Sequence, residues 1–129
     1  YIVHDRDAHA DCLEIIRRSG YFRGVMHCYS GSVEMAKELV DLGFYISFAG
    51  PVTFKNGKKA KEVATGLPID RLLIETDCPY LSPEPYRGER NDSSKVRFVA
   101  ETIADLKGVS VEELSRITYE NGKRFFSIQ

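Results

Sequence analysis

No stretch of this chain is long and apolar enough to cross a bilayer as a helix, so a membrane-spanning role is set aside. Nor is there an excess of charge of either sign, since 18 basic against 19 acidic residues leave a net charge of −1. A protein so balanced has no bulk positive field to draw in nucleic acid, and any such role has to come from a local site. Cysteine is scarce and odd in number (Cys12, Cys28 and Cys78), with no CxxC spacing. That argues against a disulfide framework and for reduced thiols, with a cytoplasmic location as the expectation. Cys28 and Cys78 each follow a candidate ligand but stand one residue out of phase with it, and both are expected to be small buried packing residues. Internal repeats and low-complexity linkers are absent. The chain also lacks an initiator Met and opens inside an apolar run, Tyr1-Ile2-Val3, which is the pattern expected of a fragment.

What is present is the composition of a globular domain: 129 residues, 43% hydrophobic and 29% charged. Four apolar segments read as strands, ending near His4, near His27, within FYISFAG (44–50) and within LLIETD (72–77). Helical periodicity separates them. DAHADCLEIIRRSG stops at Gly20, VEMAKELVDL is capped by Ser32 and stopped at Gly43, and SSKVRFVAETIADLKG stops at Gly108. Ser110 and Glu113 form a capping box that opens a last helix, VEELSRITYENGKRFF. Alternation of strand and helix predicts an α/β fold with a parallel sheet. Two architectures fit: half of a (β/α)8 barrel, whose full form needs roughly 200–250 residues, or a small doubly wound domain of flavodoxin type.

The polar residues gather at the C-terminal tips of these strands, the edge where parallel α/β proteins bind ligands. Strand one offers His4, strand two His27 and strand four Glu75 and Asp77, which alternation would place on one side; strand three offers little. Imidazoles and carboxylates converging on one rim suit a divalent metal, which would polarise a phosphoryl or carbonyl oxygen. Each residue alone has a plainer reading, as a structural histidine, a loop cap or a turn aspartate; together they favour the metal. His9 reads as a solvated or supporting residue. The loop YRGERN adds Arg87 and Arg90, whose guanidinium forks can clamp phosphate, against the plainer reading of ion pairs with Glu84 or Glu89. Lys55, Lys58, Lys59 and Lys61 read as a solubilising helix face.

Three stretches, IVHDRDA, GVMHCYSGSVEMAKELVDLGFYISFAGPVTFKN and LLIETDCPYLSPEPYRGERN, taken in this order, resemble the TatD family of metal-dependent deoxyribonucleases. These are amidohydrolase-like enzymes on the TIM barrel, and the resemblance extends to the final YENGKRFF. It implies metal ligation by His4, His27 and Asp77, with Asp77 also orienting or deprotonating the attacking water and Glu75 as its companion acid. Arg87, Arg90 and Asn91 would face the nucleic-acid backbone. The implied cofactors are one or two divalent ions, Mg²⁺, Mn²⁺ or Zn²⁺, and the implied substrate is DNA.

The sequence departs from the family pattern at Cys78, where Ser or Ala is usual, and at Asp92-Ser93, where Glu-Pro often stands. The family's opening HxH pair and metal-bridging Glu are also missing. Residues 1–129 are therefore expected to form one partial domain, strands five to eight of the barrel. Its open face would be covered by a second copy or by the missing N-terminal half. The activity expected of the parent is DNA phosphodiester hydrolysis. The alternatives are a catalytically silent, self-associating half barrel and an amidohydrolase acting on a small ester or amide.

Overall fold

The computed structural model describes residues 1–129. Its strands are short: β1 (Ile2–His4), β2 (Val25–His27), β3 (Tyr45–Phe48) and β4 (Leu72–Ile74). The helices are α1 (His9–Ser19), α2 (Val33–Leu42), α3 (Lys58–Gly66), α4 (Val96–Lys107) and α5 (Val111–Phe126). All strand pairs are parallel and the spatial order is β1-β2-β3-β4, with His4 level with His27 and Ser47 level with Leu73. A doubly wound sheet changes direction at a switch point and is covered on both faces. Here the order never reverses and α1 to α4 share one face, so the fold is four successive β/α units of a singly wound barrel. The flavodoxin-type alternative is excluded.

Local chemistry explains where the elements begin and end. Ser32 Oγ accepts from Met35 N at 3.2 Å and Ser110 Oγ from Glu113 N at 3.1 Å, each satisfying an amide that the first helical turn leaves free. Gly20, Gly43 and Gly108 close α1, α2 and α4 in the left-handed conformation. The main core lies between sheet and helices, where Met26, Ile46, Phe48 and Leu72 meet Leu39, Val63, Val99, Ile103 and Leu114. Side chains of this kind contribute about 1.5–3 kcal/mol each on full burial. The lysine-rich helix α3 belongs to this core through Val63 and Ala64, so only its lysine side is exposed.

The other face of the sheet is different. Val25, Tyr45 and Leu73 alternate onto it and pack on Phe125 near the end of α5, with Arg71 over the Tyr45 ring. Beyond them an open groove of about 730 Å³ runs between the sheet and α5, lined by Ile2, Leu73, Val96, Tyr119, Phe126 and Ile128 among others. Ile2, Phe126 and Ile128 are more than half exposed. The groove also reaches His27, Ser47 and Glu75, so this apolar face and the polar rim are one continuous surface.

Candidate metal centre

His27, the last residue of β2, stands between the two acids that follow β4. Its Nδ1 lies 2.6 Å from Glu75 Oε1 and its Nε2 lies 3.1 Å from Asp77 Oδ1. One ligand atom from each of the three residues falls within 4.8 Å of the others, and all three are partly buried. A neutral imidazole has one N–H and one lone pair. Both of its contacts with carboxylate oxygens are therefore favourable only when a proton or a metal ion supplies the missing positive charge.

Glu75 is the most constrained of the three. Its backbone N–H extends the ladder by donating to Phe48 O at 2.9 Å. Its Oε2 accepts from the buried Ser47 hydroxyl at 2.5 Å. Its Oε1 is buried, and despite the nearby imidazole no donor meets it in hydrogen-bonding geometry. A buried carboxylate oxygen without a donor is costly, and a cation at this spot removes the cost. The donor set (one imidazole nitrogen, two carboxylates) is of the kind that Mg²⁺, Mn²⁺ and Zn²⁺ all accept. The residues present thus fit a divalent ion.

Convergence of the acids has a different cause from the one the sequence suggests. β4 ends at Ile74, and Asp77 has φ +58°, so strand alternation does not continue to it. A left-handed turn brings its carboxylate back over the rim. Asp7 and Cys28, also just past strand ends, have positive φ as well, at +56° and +44°. Non-glycine residues in this region carry backbone strain that surrounding structure must hold, a feature that clusters at functional sites.

His4 stands on the same rim with its ring centroid 5.7 Å from that of His27, but it is outside the close group and on the outer edge of the sheet. His9 Nδ1 contacts the Asp5 carboxylate at 2.5 Å, and Asp5 also accepts from Ala8 N, so this pair fixes the start of α1. Ser47 is the participant that sequence reasoning missed. The only signal was a lone serine in the strand FYISFAG, and its role depends on Glu75 lying across the ladder from it.

The rim loop corrects another expectation. Asn91 is 3% exposed, and its Nδ2 donates to Thr76 O and Tyr80 O, both at 2.7 Å, while its Oδ1 accepts from Asp92 N. Its side chain is thus occupied in tying the far end of the loop to the turn that carries Asp77, and it has no donor left for a phosphate. Asn91→Ala would leave two carbonyls without donors, and a loss of roughly 2–4 kcal/mol in unfolding free energy is expected. Chemical denaturation checks this, and wild-type stability would show that the side chain is free after all.

Arg87 and Arg90 are exposed, and neither pairs with Glu84 or Glu89. Arg87 stacks over Phe54 at 4.0 Å and donates to Asn56 Oδ1 at 3.0 Å, which joins the loop to the segment before α3. The same junction has no room at Gly50, where a Cβ would overlap Leu81 O. At the loop's end, hydrogen bonds from Ser94 and then Lys95 hold the Asp92 carboxyl at about 2.

The cysteines divide. Cys28 is partly buried, and burial, reinforced by Glu75 and then Asp77, pushes its thiol up to about 12. It is therefore a protonated packing group at neutral pH and neither a nucleophile nor a ready ligand. Cys78 is exposed, contrary to the expectation of burial, because the chain has left the sheet and turned outward. Iodoacetamide at about pH 8.5 is expected to label the exposed Cys78 first and Cys28 only after unfolding. Peptide mass spectrometry would read the order, and early labelling of Cys28 would contradict its placement.

Known proteins resemble the chain over nearly its whole length. The family described as TatD related DNase matches residues 1–127. The chain is 54% identical to the uncharacterized metal-dependent hydrolase YabD of Bacillus subtilis, covering 98% of this chain and 51% of that protein. It is 52% identical to the uncharacterized metal-dependent hydrolase YcfH of Escherichia coli K12, over 98% of this chain and 49% of that one. Among solved structures it superposes on the TatD homolog YJJV of E. coli K12 with a TM-score of 0.91 at 27% identity, covering 99% of this chain and 50% of that chain. The chain therefore spans about half the length of the relatives it matches.

Proposed function

The chain belongs to the TatD-related DNase family, and from that premise we propose that it supplies part of the divalent-metal centre of a hydrolase that cleaves DNA phosphodiester bonds. The observation that carries this reading is Glu75 Oε1, buried without a hydrogen-bond donor and aimed at His27 beside Asp77. His27, Glu75 and Asp77 would hold the ion, and His4, on the adjacent strand tip, would join them. A bound ion would supply Lewis-acid polarisation of a phosphoryl oxygen and ease ionisation of water. Asp77, the most exposed of the three side chains, would orient the attacking water and accept its proton. Ser47 holds Glu75 in position, and the exposed Arg87 and Arg90 meet backbone phosphates.

The test is cleavage of an end-labelled oligonucleotide with Mg²⁺ or Mn²⁺, against a chelator control, together with calorimetric titration of the metal. Metal-dependent cleavage supports the reading. Absence of both cleavage and stoichiometric metal uptake overturns it for this chain.

The exposed Ile2, Phe126 and Ile128 favour a second reading alongside the first: in isolation the chain self-associates through its open sheet face. Unpaired outer edges on β1 and β4 add to that tendency. The expected solution mass is near twice 14.6 kDa by light scattering, returning to the monomer value in Phe126→Asp. A monomeric wild type would remove this reading.

A further inference from the structure

Two features of the rim are unused by the metal centre. The first is Tyr80, which is 71% exposed although it lies only three residues beyond Asp77. Its backbone is fixed: its N–H donates to Asp77 O at 3.0 Å and its carbonyl accepts from Asn91 Nδ2. A large aromatic ring presented to solvent on a pinned backbone, next to a candidate metal centre, is a poor use of apolar surface unless something lies on it.

The second feature is charge. Segments 54–62 and 84–90 meet at the Arg87–Asn56 hydrogen bond and together carry six cations against three acids, on a chain whose net charge is −1. Lys55, Lys59 and Arg90 make no ion pair, and Lys58 reaches only Glu62, at 3.8 Å. Lys61 is occupied in donating to Phe54 O, but Lys58 and Lys59 stand where charge does not favour α3. Its first turn holds Lys58 and Lys59 and no acid, the unfavourable sign for a helix start. The segment follows β3, so it lies at the same end of the sheet as His27 and Asp77.

An exposed aromatic on the same rim as a set of solvent-facing cations is a combination that binds single-stranded nucleic acid, with the ring stacking on a base and the cations following the backbone. We propose that Tyr80 stacks on an unpaired base next to the scissile phosphate, and that Arg90, Lys55, Lys58 and Lys59 carry the adjoining backbone. The preferred substrate is then single-stranded. This rests on the nucleic-acid reading of the site but not on metal binding or catalysis.

The experiment is fluorescence anisotropy of a labelled single-stranded oligonucleotide and its duplex, in EDTA, over a series of salt concentrations. The wild-type chain is expected to prefer the single strand. Tyr80→Ala should weaken single-strand binding about tenfold to a hundredfold, with the salt slope unchanged and with Tyr80→Phe close to wild type. The triple change Lys55→Gln, Lys58→Gln, Lys59→Gln should make the slope of log K against log salt shallower by about 2, at roughly 0.7 per single-strand phosphate contact. The corresponding Lys→Arg triple should retain it. Arg17→Gln with Arg18→Gln, at the opposite end of the sheet, should change neither quantity.

Equal affinity for duplex, or an unchanged Tyr80→Ala, overturns the stacking proposal. An unchanged slope in the lysine triple overturns the role of the lysines. Hydrolysis of bis(p-nitrophenyl) phosphate, which needs neither feature, reports separately on the metal site. Cleavage of that ester without DNA binding would sink this inference and leave the metal-dependent hydrolase in place.

Discussion

Asp77→Asn is expected to reduce metal-dependent cleavage by roughly 10²–10⁴-fold, the range lost when a positioned proton acceptor is removed. The substitution keeps the shape of the side chain and removes its charge. His27 Nε2, 3.1 Å from Asp77 Oδ1, then faces an amide instead of a carboxylate, and the centre loses one of its two negative charges. Ser47→Ala should be milder and informative. It frees Glu75 Oε2 without touching a ligand atom, and loss of such an orienting hydrogen bond typically costs about 10–100-fold in metal affinity or activity. Titration with Mn²⁺ reads both variants even where turnover is slow. Wild-type affinity and cleavage in Asp77→Asn would remove Asp77 from the site.

The second large effect concerns Asn121, which is fully buried in the middle of α5. Its Nδ2 donates to Ile69 O at 3.0 Å and to Leu72 O at 2.8 Å, and its Oδ1 accepts from Arg124 at 2.5 Å. One amide thus pins the last helix to the entry of β4, the strand that delivers Glu75 and Asp77. Asn121→Leu matches the side chain in size and leaves two buried carbonyls without donors, a loss of roughly 2–4 kcal/mol. Against a total stability of about 5–15 kcal/mol this is large, and a fall in Tm of about 10 °C is expected by calorimetry. An unchanged Tm would mean that water replaces the amide and that α5 is held by its apolar contacts alone.

These two residues also mark what could be read in advance. Asp77 was legible because the run Leu72-Leu73-Ile74 ends in acids, and apolar strands of parallel sheets end at binding sites. His27 was legible for the same reason. Asn121 was not, because a polar residue inside an amphipathic helix has no period of its own, and its partners are carbonyls some 50 residues away in sequence. Ser47 was hidden in the same way. Asn91 was read by its resemblance to a substrate-facing loop, but the backbone folds so that its amide turns inward and meets two carbonyls.

The sequence by itself determined the order of strands and helices, their caps, the parallel character of the sheet and the rim on which chemistry collects. Those are local properties, fixed by periodicity of two or 3.6 residues, by capping side chains and by glycine at helix ends. The tertiary structure decided which residues meet. A left-handed turn, not strand alternation, brings Asp77 to His27, and cross-strand packing sets Ser47 against Glu75. Register and turn geometry also leave His4 beside the close group and not within it, and they turn Cys78 and Tyr80 outward where a strand would have buried them. Such meetings depend on distances between atoms far apart in the chain, and no pattern along the sequence encodes a distance.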